Sequence, residues 1–207
     1  MIFKKVTEYF EKAMPDPQPE LHYTNPFELL VAVILSAQCT DKRVNQITPA
    51  LFEAYPTAEK MSKATVDDIF QLIKSCSYPN SKSRHLLSMS KMLHEKYQGQ
   101  IPPDIDEMQK LPGVGRKTAN VVAAVAFGKQ TMPVDTHVFR VSARLGLTHD
   151  CKTPLETERQ LIKGFSKDVL SKAHHWLILH GRYTCTARNP KCTECGLNAL
   201  CQYPDKN

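Results

Sequence analysis

The sequence contains no apolar run that is long enough to cross a membrane. Its most apolar stretch, Phe27 to Ala37, is interrupted by Glu28, whereas a transmembrane helix needs about 20 consecutive apolar residues. The N-terminal residues alternate charged with apolar side chains and contain no secretory h-region. We therefore expect a cytoplasmic protein with no membrane partner.

No segment shows the strict alternation of apolar and polar residues that a half-buried β-strand requires. Many segments instead space their apolar residues as an amphipathic helix does, and neither an internal repeat nor a low-complexity segment is present. The chain is 42% hydrophobic and 23% charged, which is typical of a globular protein. The pattern predicts an all-α protein with about ten helices.

Capping residues predict where several of these helices begin. Asn25-Pro-Phe-Glu28 is a strong start signal, because it combines an N-cap asparagine with a proline at the first helical position. The following residues, Leu29 to Ala37, are apolar on nearly every face and therefore predict a buried central helix. Thr65 is a further candidate N-cap, and either Asp135 or Thr136 can cap a later helix. Asn80-Ser81 is expected to begin a longer helix.

The charge balance is moderately basic, with 27 Lys and Arg residues against 21 Asp and Glu residues. A net charge of +6 is compatible with a nucleic-acid partner. It does not establish one, because many basic proteins bind no nucleic acid.

A short glycine turn is the first motif with chemical meaning. Gly113 and Gly115 lie in Leu111-Pro-Gly-Val-Gly-Arg-Lys-Thr-Ala119, directly before good helix-forming sequence. Backbone N–H groups at a helix N-terminus can hold a phosphate, and glycine lets the phosphate approach closely. Arg116 and Lys117 would stand beside it. The turn and its flanking segments predict a helix-hairpin-helix unit at about 103–127, in which Lys117 either neutralises charge or carries out chemistry.

The seven cysteines are unevenly distributed. An intracellular protein is not expected to use them as a disulfide framework. Four of them form the pattern Cys-x6-Cys-x2-Cys-x5-Cys near the C-terminus, which indicates a metal centre, and both zinc and an iron–sulfur cluster fit four thiolates; they are Cys185, Cys192, Cys195 and Cys201. The other three, Cys39, Cys76 and Cys151, lie far apart in the sequence and are expected to be small core or surface residues.

Four segments together resemble the endonuclease III family of DNA glycosylases. They cover nearly the whole chain in the family's order, and they are Leu35–Asp41, Leu111–Val122, Val134–His137 and His180–Cys185 with the cysteine pattern that follows it. The resemblance implies a six-helix barrel domain and a second α-helical domain built from both chain ends. It also implies a [4Fe–4S] cluster in the second domain and a DNA-binding cleft between the two.

The resemblance implies boundaries for these domains. Residues 20–129 would form the barrel with its helix-hairpin-helix unit, and residues 1–19 with 130–207 would form the iron–sulfur domain. The expected partner is double-stranded DNA that contains a damaged base or an abasic site. A monomer is expected, associated with the nucleoid if the source is bacterial.

The implied activity is that of a bifunctional DNA glycosylase and AP lyase, which removes oxidised pyrimidines and then nicks the strand. Lys117 stands at the family's catalytic lysine. A neutral amine can attack C1′ and remain attached as a Schiff base, which makes the C2′ proton acidic enough for β-elimination. Asp135 matches the catalytic aspartate, whose carboxylate can stabilise positive charge near C1′ and accept a proton.

Further residues are expected to contact DNA. Gln38 matches an intercalating glutamine that fills the gap left by a flipped base. Tyr78 stands where relatives carry a leucine wedge, so this chain departs from the family there and its opposite-base preference can differ. His137 is expected to contact phosphate or sugar. The remaining candidates are basic residues near the cysteine pattern: Arg182, Arg188 and Lys191.

Several alternatives remain open at this point. The adenine glycosylase family shares the cluster but lacks a lysine at position 117 and has a large C-terminal extension. A mismatch or pyrimidine-dimer glycosylase on the same scaffold differs only in its pocket residues. A non-catalytic helix-hairpin-helix protein with a zinc tail would use the same glycine turn to bind DNA.

Overall fold

The computed structural model describes residues 1–205, which form two compact units. One unit is Pro19–Gly128, and the other combines Met1–Gln18 with the chain from Lys129 onward. No β-strand occurs in residues 1–205, so the predicted all-α class is confirmed. In the same part of the chain, no helix is both long and apolar enough to cross a membrane.

The described residues contain eleven α-helices and two short 3₁₀ turns. The helices are α1 (Ile2–Ala13), α2 (Pro26–Ser36), α3 (Asp41–Ala54), α4 (Ala58–Ser62), α5 (Val66–Ile73), α6 (Pro79–Tyr97), α7 (Ile105–Gln109), α8 (Arg116–Phe127), α9 (Thr136–Leu145), α10 (Pro154–Gly164) and α11 (Leu170–Tyr183). The 3₁₀ turns are Lys167–Val169 and Asn198–Leu200.

Helix α2 is the centre of the Pro19–Gly128 unit, as its uniformly apolar sequence predicts. Its residues from Phe27 to Leu35 are all buried, and it packs against α3, α6 and α8. The Asn25 side chain accepts a hydrogen bond from the Glu28 N–H at 3.0 Å, so the predicted N-cap is confirmed. The Glu28 carboxylate accepts bonds from the backbone and the hydroxyl of Thr24, which explains why this buried acid is tolerated.

Helix α6 begins earlier than the sequence predicts. Its first residue is Pro79 and its N-cap is Tyr78, so the expected start at Asn80-Ser81 was wrong. Proline at the first helical position loses no helical hydrogen bond and already has a helical φ angle. Tyr78 itself adopts a left-handed conformation with φ of 55°.

The other unit joins both ends of the chain through aromatic packing. Phe10 of α1 stacks on Trp176 of α11 with ring centroids 5.6 Å apart, and both rings are buried. The Trp176 indole N–H donates to the Met14 carbonyl at 2.7 Å, and Lys172 donates to the Pro15 carbonyl at 3.1 Å. These contacts hold the N-terminal helix against the C-terminal part of the chain.

Candidate active site and metal centre

The glycine turn connects α7 to α8 and is open to solvent at both glycines. Gly113 has φ of +80°, and a Cβ atom there would lie only 2.9 Å from Cβ of His85. Two constraints therefore require glycine at 113, the left-handed backbone and the close approach of His85. Between the two glycines, Val114 is buried and anchors the turn to the core.

Gly115 is the N-cap of α8 and provides no side chain to bond the first turn of the helix. The first N–H groups of an α-helix have no partner within the helix. Here they belong to exposed residues that follow an exposed turn. The positive end of the α8 dipole is thus available to an anion such as a DNA phosphate.

Lys117 lies in this first turn of α8 and is exposed. Within its own unit, the structure gives it no hydrogen bond and no ion pair. Its amine is thus not committed to a structural contact. Arg116 beside it is also exposed.

Asp135 is the N-cap of α9, as the sequence predicts. Its Oδ1 atom accepts hydrogen bonds from the N–H groups of His137 at 2.9 Å and Val138 at 2.8 Å. Among the described residues of its unit, 1–18 and 129–205, the other oxygen, Oδ2, has no hydrogen-bond partner. The cap therefore orients the half-buried carboxylate and leaves one oxygen for a further role.

His137 is oriented by an arginine that sequence reasoning missed. Nη2 of Arg140 lies 3.2 Å from Nδ1 of His137 and also donates to the carbonyls of Gly181 at 2.9 Å and Cys185 at 3.1 Å. The two hydrogens of this nitrogen serve the two carbonyls, and the His137 ring lies beside them in the first turn of α9. Arg140 therefore fixes the position of the ring, which supports its predicted contact with phosphate or sugar.

Gln38 and Tyr78 are exposed, and both have left-handed backbone conformations, with φ of 53° and 55°. This conformation costs a residue other than glycine about 1–2 kcal/mol. Strain of this kind persists only where surrounding contacts impose it, and it is concentrated at functional sites. Gln98 and Asp150 adopt the same conformation without a predicted role, so it marks tightly held loops and does not by itself assign a function.

Lys82 connects the loop of Gln38 to the loop of Tyr78, and the sequence did not reveal this role. Only 5% of this lysine is exposed. Its ammonium donates to the carbonyls of Leu35 and Ala37, both at 2.7 Å, and to the Cys76 sulfur at 3.3 Å. These contacts use all three of its N–H donors and tie the end of α2, next to Gln38, to the segment before α6.

The three remaining cysteines are core or surface residues, as expected. Cys76 is buried in the core of the Pro19–Gly128 unit, and Cys39 is half-buried and packs against that core. Cys151 is half-buried in the other unit.

The four C-terminal cysteines line one cavity, as a shared metal centre requires; its walls include Arg144, His180, Cys185, Cys192, Cys195 and Cys201. Within residues 1–205, no three His, Cys, Asp or Glu side chains converge closely enough to hold a single metal ion. A [4Fe–4S] cluster, which takes one cysteine thiolate at each iron, fits this donor set.

Hydrogen-bond donors are directed at these sulfur atoms. Nη1 of Arg144 donates to the Cys185 sulfur at 3.4 Å, and the N–H of Tyr203 donates to the Cys201 sulfur at 3.5 Å. Nε2 of His180 lies 3.7 Å from the Cys195 sulfur. Burial lowers the pKa of His180 to about 4, so this ring is uncharged at neutral pH.

Arg144 also organises the loop that follows Cys185, which sequence reasoning did not foresee. It donates to the carbonyls of Thr186 at 2.7 Å and Ala187 at 3.0 Å, and its guanidinium lies 4.0 Å from the centroid of the Tyr203 ring. Exposed Arg188 and Lys191 lie on this loop, whereas Arg182 is half-buried on α11. The loop therefore presents positive charge next to the cysteine cavity.

Comparison with known proteins agrees with this geometry. Residues 31–167 match the family model of HhH-GPD superfamily base excision DNA repair proteins. Residues 185–201 match the model of the iron–sulfur binding domain of endonuclease III. The endonuclease III of Rickettsia felis is 48% identical over 98% of this chain and 94% of its own length.

Two solved structures have nearly the same fold. A trapped covalent intermediate of endonuclease III with DNA has a TM-score of 0.91 and 45% identity, and the match covers 97% of this chain and 95% of that one. A non-covalent endonuclease III–DNA complex has a TM-score of 0.92 and 45% identity, over 96% of this chain and 93% of that one.

The fold and the matched models define a helix-hairpin-helix protein of base excision DNA repair. Within that class, the chain belongs to the endonuclease III family. Its activity is that of a DNA glycosylase and AP lyase, and its cofactor is a [4Fe–4S] cluster. The predicted family, fold class, activity and cofactor are confirmed, and the alternatives are not favoured. The roles of individual site residues stay predictions.

Replacing Gly113 with alanine tests the strained turn. We expect Gly113→Ala to lower the free energy of unfolding by at least about 1 kcal/mol, because alanine resists positive φ and its Cβ would meet His85. Gly115→Ala is the matched control, since no atom lies within 4 Å of its added Cβ. That control should lose roughly 0.5 kcal/mol or less. Equal losses in chemical denaturation would contradict the interpretation.

Iron analysis tests the role of the cysteine cavity. The purified protein should be yellow-brown and contain about four irons per chain, with one thiolate on each iron. Cys195→Ser should lower the iron content and the visible absorption, whereas Cys151→Ser should leave both unchanged. Full iron content in the Cys195 variant would show that this thiol is not a ligand.

Proposed function

We propose that the chain excises oxidised pyrimidines from double-stranded DNA and cleaves the strand 3′ to the resulting abasic site, with Lys117 as nucleophile. The observation that carries this proposal is the exposed Lys117 in the first turn of α8, which makes no hydrogen bond or ion pair within residues 19–128. Directly before it, the turn at Gly113 and Gly115 can bind a phosphate of the DNA backbone. A lysine there is positioned next to the sugar that the phosphate carries.

The glycosylase step begins after the damaged nucleotide leaves the base stack. The neutral Lys117 amine attacks C1′ while the bond from C1′ to the base breaks. The electron pair of that bond leaves with the base, which then takes up a proton. Bound DNA removes water from the amine, and this favours the neutral form that the attack requires.

The lyase step uses the same covalent bond. The sugar ring opens to give an imine between Lys117 and C1′, which draws electrons away from C2′. Loss of a C2′ proton then breaks the bond between C3′ and its oxygen, so the strand is nicked on the 3′ side. Hydrolysis of the imine releases the lysine.

Asp135 is proposed to stabilise positive charge at C1′ and to accept the proton that the attacking amine loses. The two backbone bonds to Oδ1 support this role, because they hold the carboxylate in one orientation without occupying Oδ2. The capping and catalytic roles are therefore compatible in one side chain.

The remaining candidates are proposed to hold the DNA. Gln38 fills the space of the flipped base, and Tyr78 stacks on neighbouring bases, since its ring is 65% exposed. The phosphate contacts are proposed for the turn and the basic residues, namely Gly113, Gly115, Arg116, His137, Arg182, Arg188 and Lys191. The cluster organises the loop that carries Arg188 and Lys191 and takes no part in base excision.

Double-stranded DNA is the proposed partner, which fits the two endonuclease III–DNA structures of similar fold. We further propose that the protein acts as a monomer in the cytoplasm, on damaged DNA of the nucleoid if the source is bacterial.

A panel of oligonucleotides tests the substrate class and the nucleophile together. Each duplex carries one oxidised pyrimidine, one mismatch, one pyrimidine dimer or one abasic site, and base release and strand nicking are measured separately. The protein should act on oxidised pyrimidines and abasic sites, and Lys117→Ala should lose both release and nicking. Selective action on mismatches or dimers would contradict the proposed substrate class.

Matched variants make this panel specific. Lys96→Ala removes an exposed lysine near the C-terminal end of α6 and should keep full activity.

The base opposite the lesion is varied in the same panel. Tyr78→Leu should change the preference among opposite bases with little effect on nicking at abasic sites. An unchanged preference would remove Tyr78 from the proposed wedge.

A further inference from the structure

One buried lysine is bonded to the backbone next to both residues that are proposed to contact bases. The Lys82 ammonium donates to the Ala37 carbonyl at 2.7 Å, and this carbonyl belongs to the peptide group that joins Ala37 to Gln38. The backbone N–H of Lys82 donates to the Tyr78 carbonyl at 3.1 Å, which is the first helical bond of α6. Lys82 is therefore bonded directly to the peptide groups beside Gln38 and Tyr78.

Both peptide groups of Gln38 are fixed by hydrogen bonds. The group before Gln38 accepts the bond from Lys82, and the group after it donates through the Cys39 N–H to the Ser36 carbonyl at 3.1 Å. The backbone of Gln38 has φ of 53°, which a residue other than glycine adopts only where its surroundings impose it. The bond from Lys82 is one of the two that impose it here.

The charge of Lys82 is balanced by carbonyls at the end of a helix. Lys82 is 5% exposed and forms no ion pair within residues 19–128. Its acceptors Leu35 and Ala37 lie in the last turn and at the C-cap of α2, where carbonyls have no partner within the helix and the dipole is negative. The ammonium thus serves as the C-terminal cap of α2, donated from a different helix.

The position of Lys82 is unfavourable for α6 itself. It is the fourth residue of that helix, close to the positive end of the helix dipole, where a cation is disfavoured. Lysine is also among the residues that are least often buried, and an apolar side chain in place of a buried ion is often neutral or stabilising. Departures from local preference of this kind are expected at functional sites.

We propose that Lys82 is a positioning residue for recognition of the base opposite the lesion. It sets the placement of Gln38 relative to Tyr78, so that the two side chains engage the DNA together. This inference rests on the proposed function, which assigns both side chains to base contacts. Lys82 acts only through these two residues, because its three N–H donors are already bonded to Leu35, Ala37 and Cys76.

A double-mutant cycle tests this coupling in the cluster-loaded protein. Lys82→Met should weaken binding to a duplex with a stable abasic-site analogue roughly tenfold, since a single base–aromatic stacking contact contributes on that order. In a Gln38→Ala, Tyr78→Ala background, the same change should alter the affinity by less than about twofold, because no base-contacting side chain is left to position. Equal losses in the two backgrounds would overturn the proposal.

A fluorescent base gives a readout that does not depend on affinity. 2-Aminopurine is placed opposite the abasic-site analogue, and its fluorescence is measured at saturating protein. Contact with the Tyr78 ring should change the fluorescence in the wild-type complex, and Lys82→Met should reduce that change at saturation. A merely structural role would alter only the amount of protein needed to reach saturation. The full wild-type change in the saturated Lys82→Met complex would therefore overturn the proposal.

Two control variants on α6 separate positioning from stability. Lys91→Met makes the same substitution at an exposed lysine and should bind and fluoresce as the wild type does. Leu93→Ala removes a fully buried side chain from the same helix, so it should lower the denaturation midpoint without changing the fluorescence at saturation. A fluorescence loss in Leu93→Ala as large as that in Lys82→Met would assign the effect to stability and overturn the proposal.

A second substitution covers the case in which Lys82→Met fails to fold. Lys82→Gln keeps two N–H donors on a shorter side chain that cannot reach all three acceptors, so the same losses are expected once circular dichroism has verified the fold. Weak binding by the Gln38→Ala, Tyr78→Ala variant, with wild-type binding by both Lys82 variants, would overturn this inference alone. Wild-type binding by the Gln38→Ala, Tyr78→Ala variant would overturn the proposed base contacts and the inference with them.

Discussion

Gly113 holds a left-handed backbone conformation against His85, and this contact determines where α8 begins and what its first turn presents to solvent. A side chain at 113 would strain the backbone and collide with the histidine. Gly115 then begins the helix without a side-chain cap, which leaves the first turn available to an anion. The proposed chemistry needs both features, because Lys117 can reach a sugar only if the adjoining phosphate lies close to the turn.

A second restraint acts at the C-terminal end of α2. Lys82 is buried, and its ammonium donates hydrogen bonds to two carbonyls near Gln38 and to the sulfur of Cys76. Two strained residues, Gln38 and Tyr78, are held in this way without the help of glycine. The same contacts hold the buried Cys76 thiol, which also donates to the Leu35 carbonyl at 3.3 Å.

Local signals in the sequence predicted the helices and caps well, because capping and apolar spacing act over a few residues. Asn25 and Asp135 cap α2 and α9 as expected, whereas the start of α6 was wrong because Pro79 already satisfies the first helical position. The roles of Lys82 and Arg144 were not foreseen. These roles depend on contacts between residues far apart in the chain, which neither periodicity nor spacing encodes.

The central claim is that Lys117 forms the covalent bond to C1′. Borohydride reduction during the reaction with abasic-site DNA converts the imine into a stable amine, and proteolysis followed by mass spectrometry locates the modified residue. The account predicts a sugar remnant on Lys117 in the cluster-loaded wild type. An adduct on a different amine, or no adduct from folded protein that binds the DNA, would contradict it.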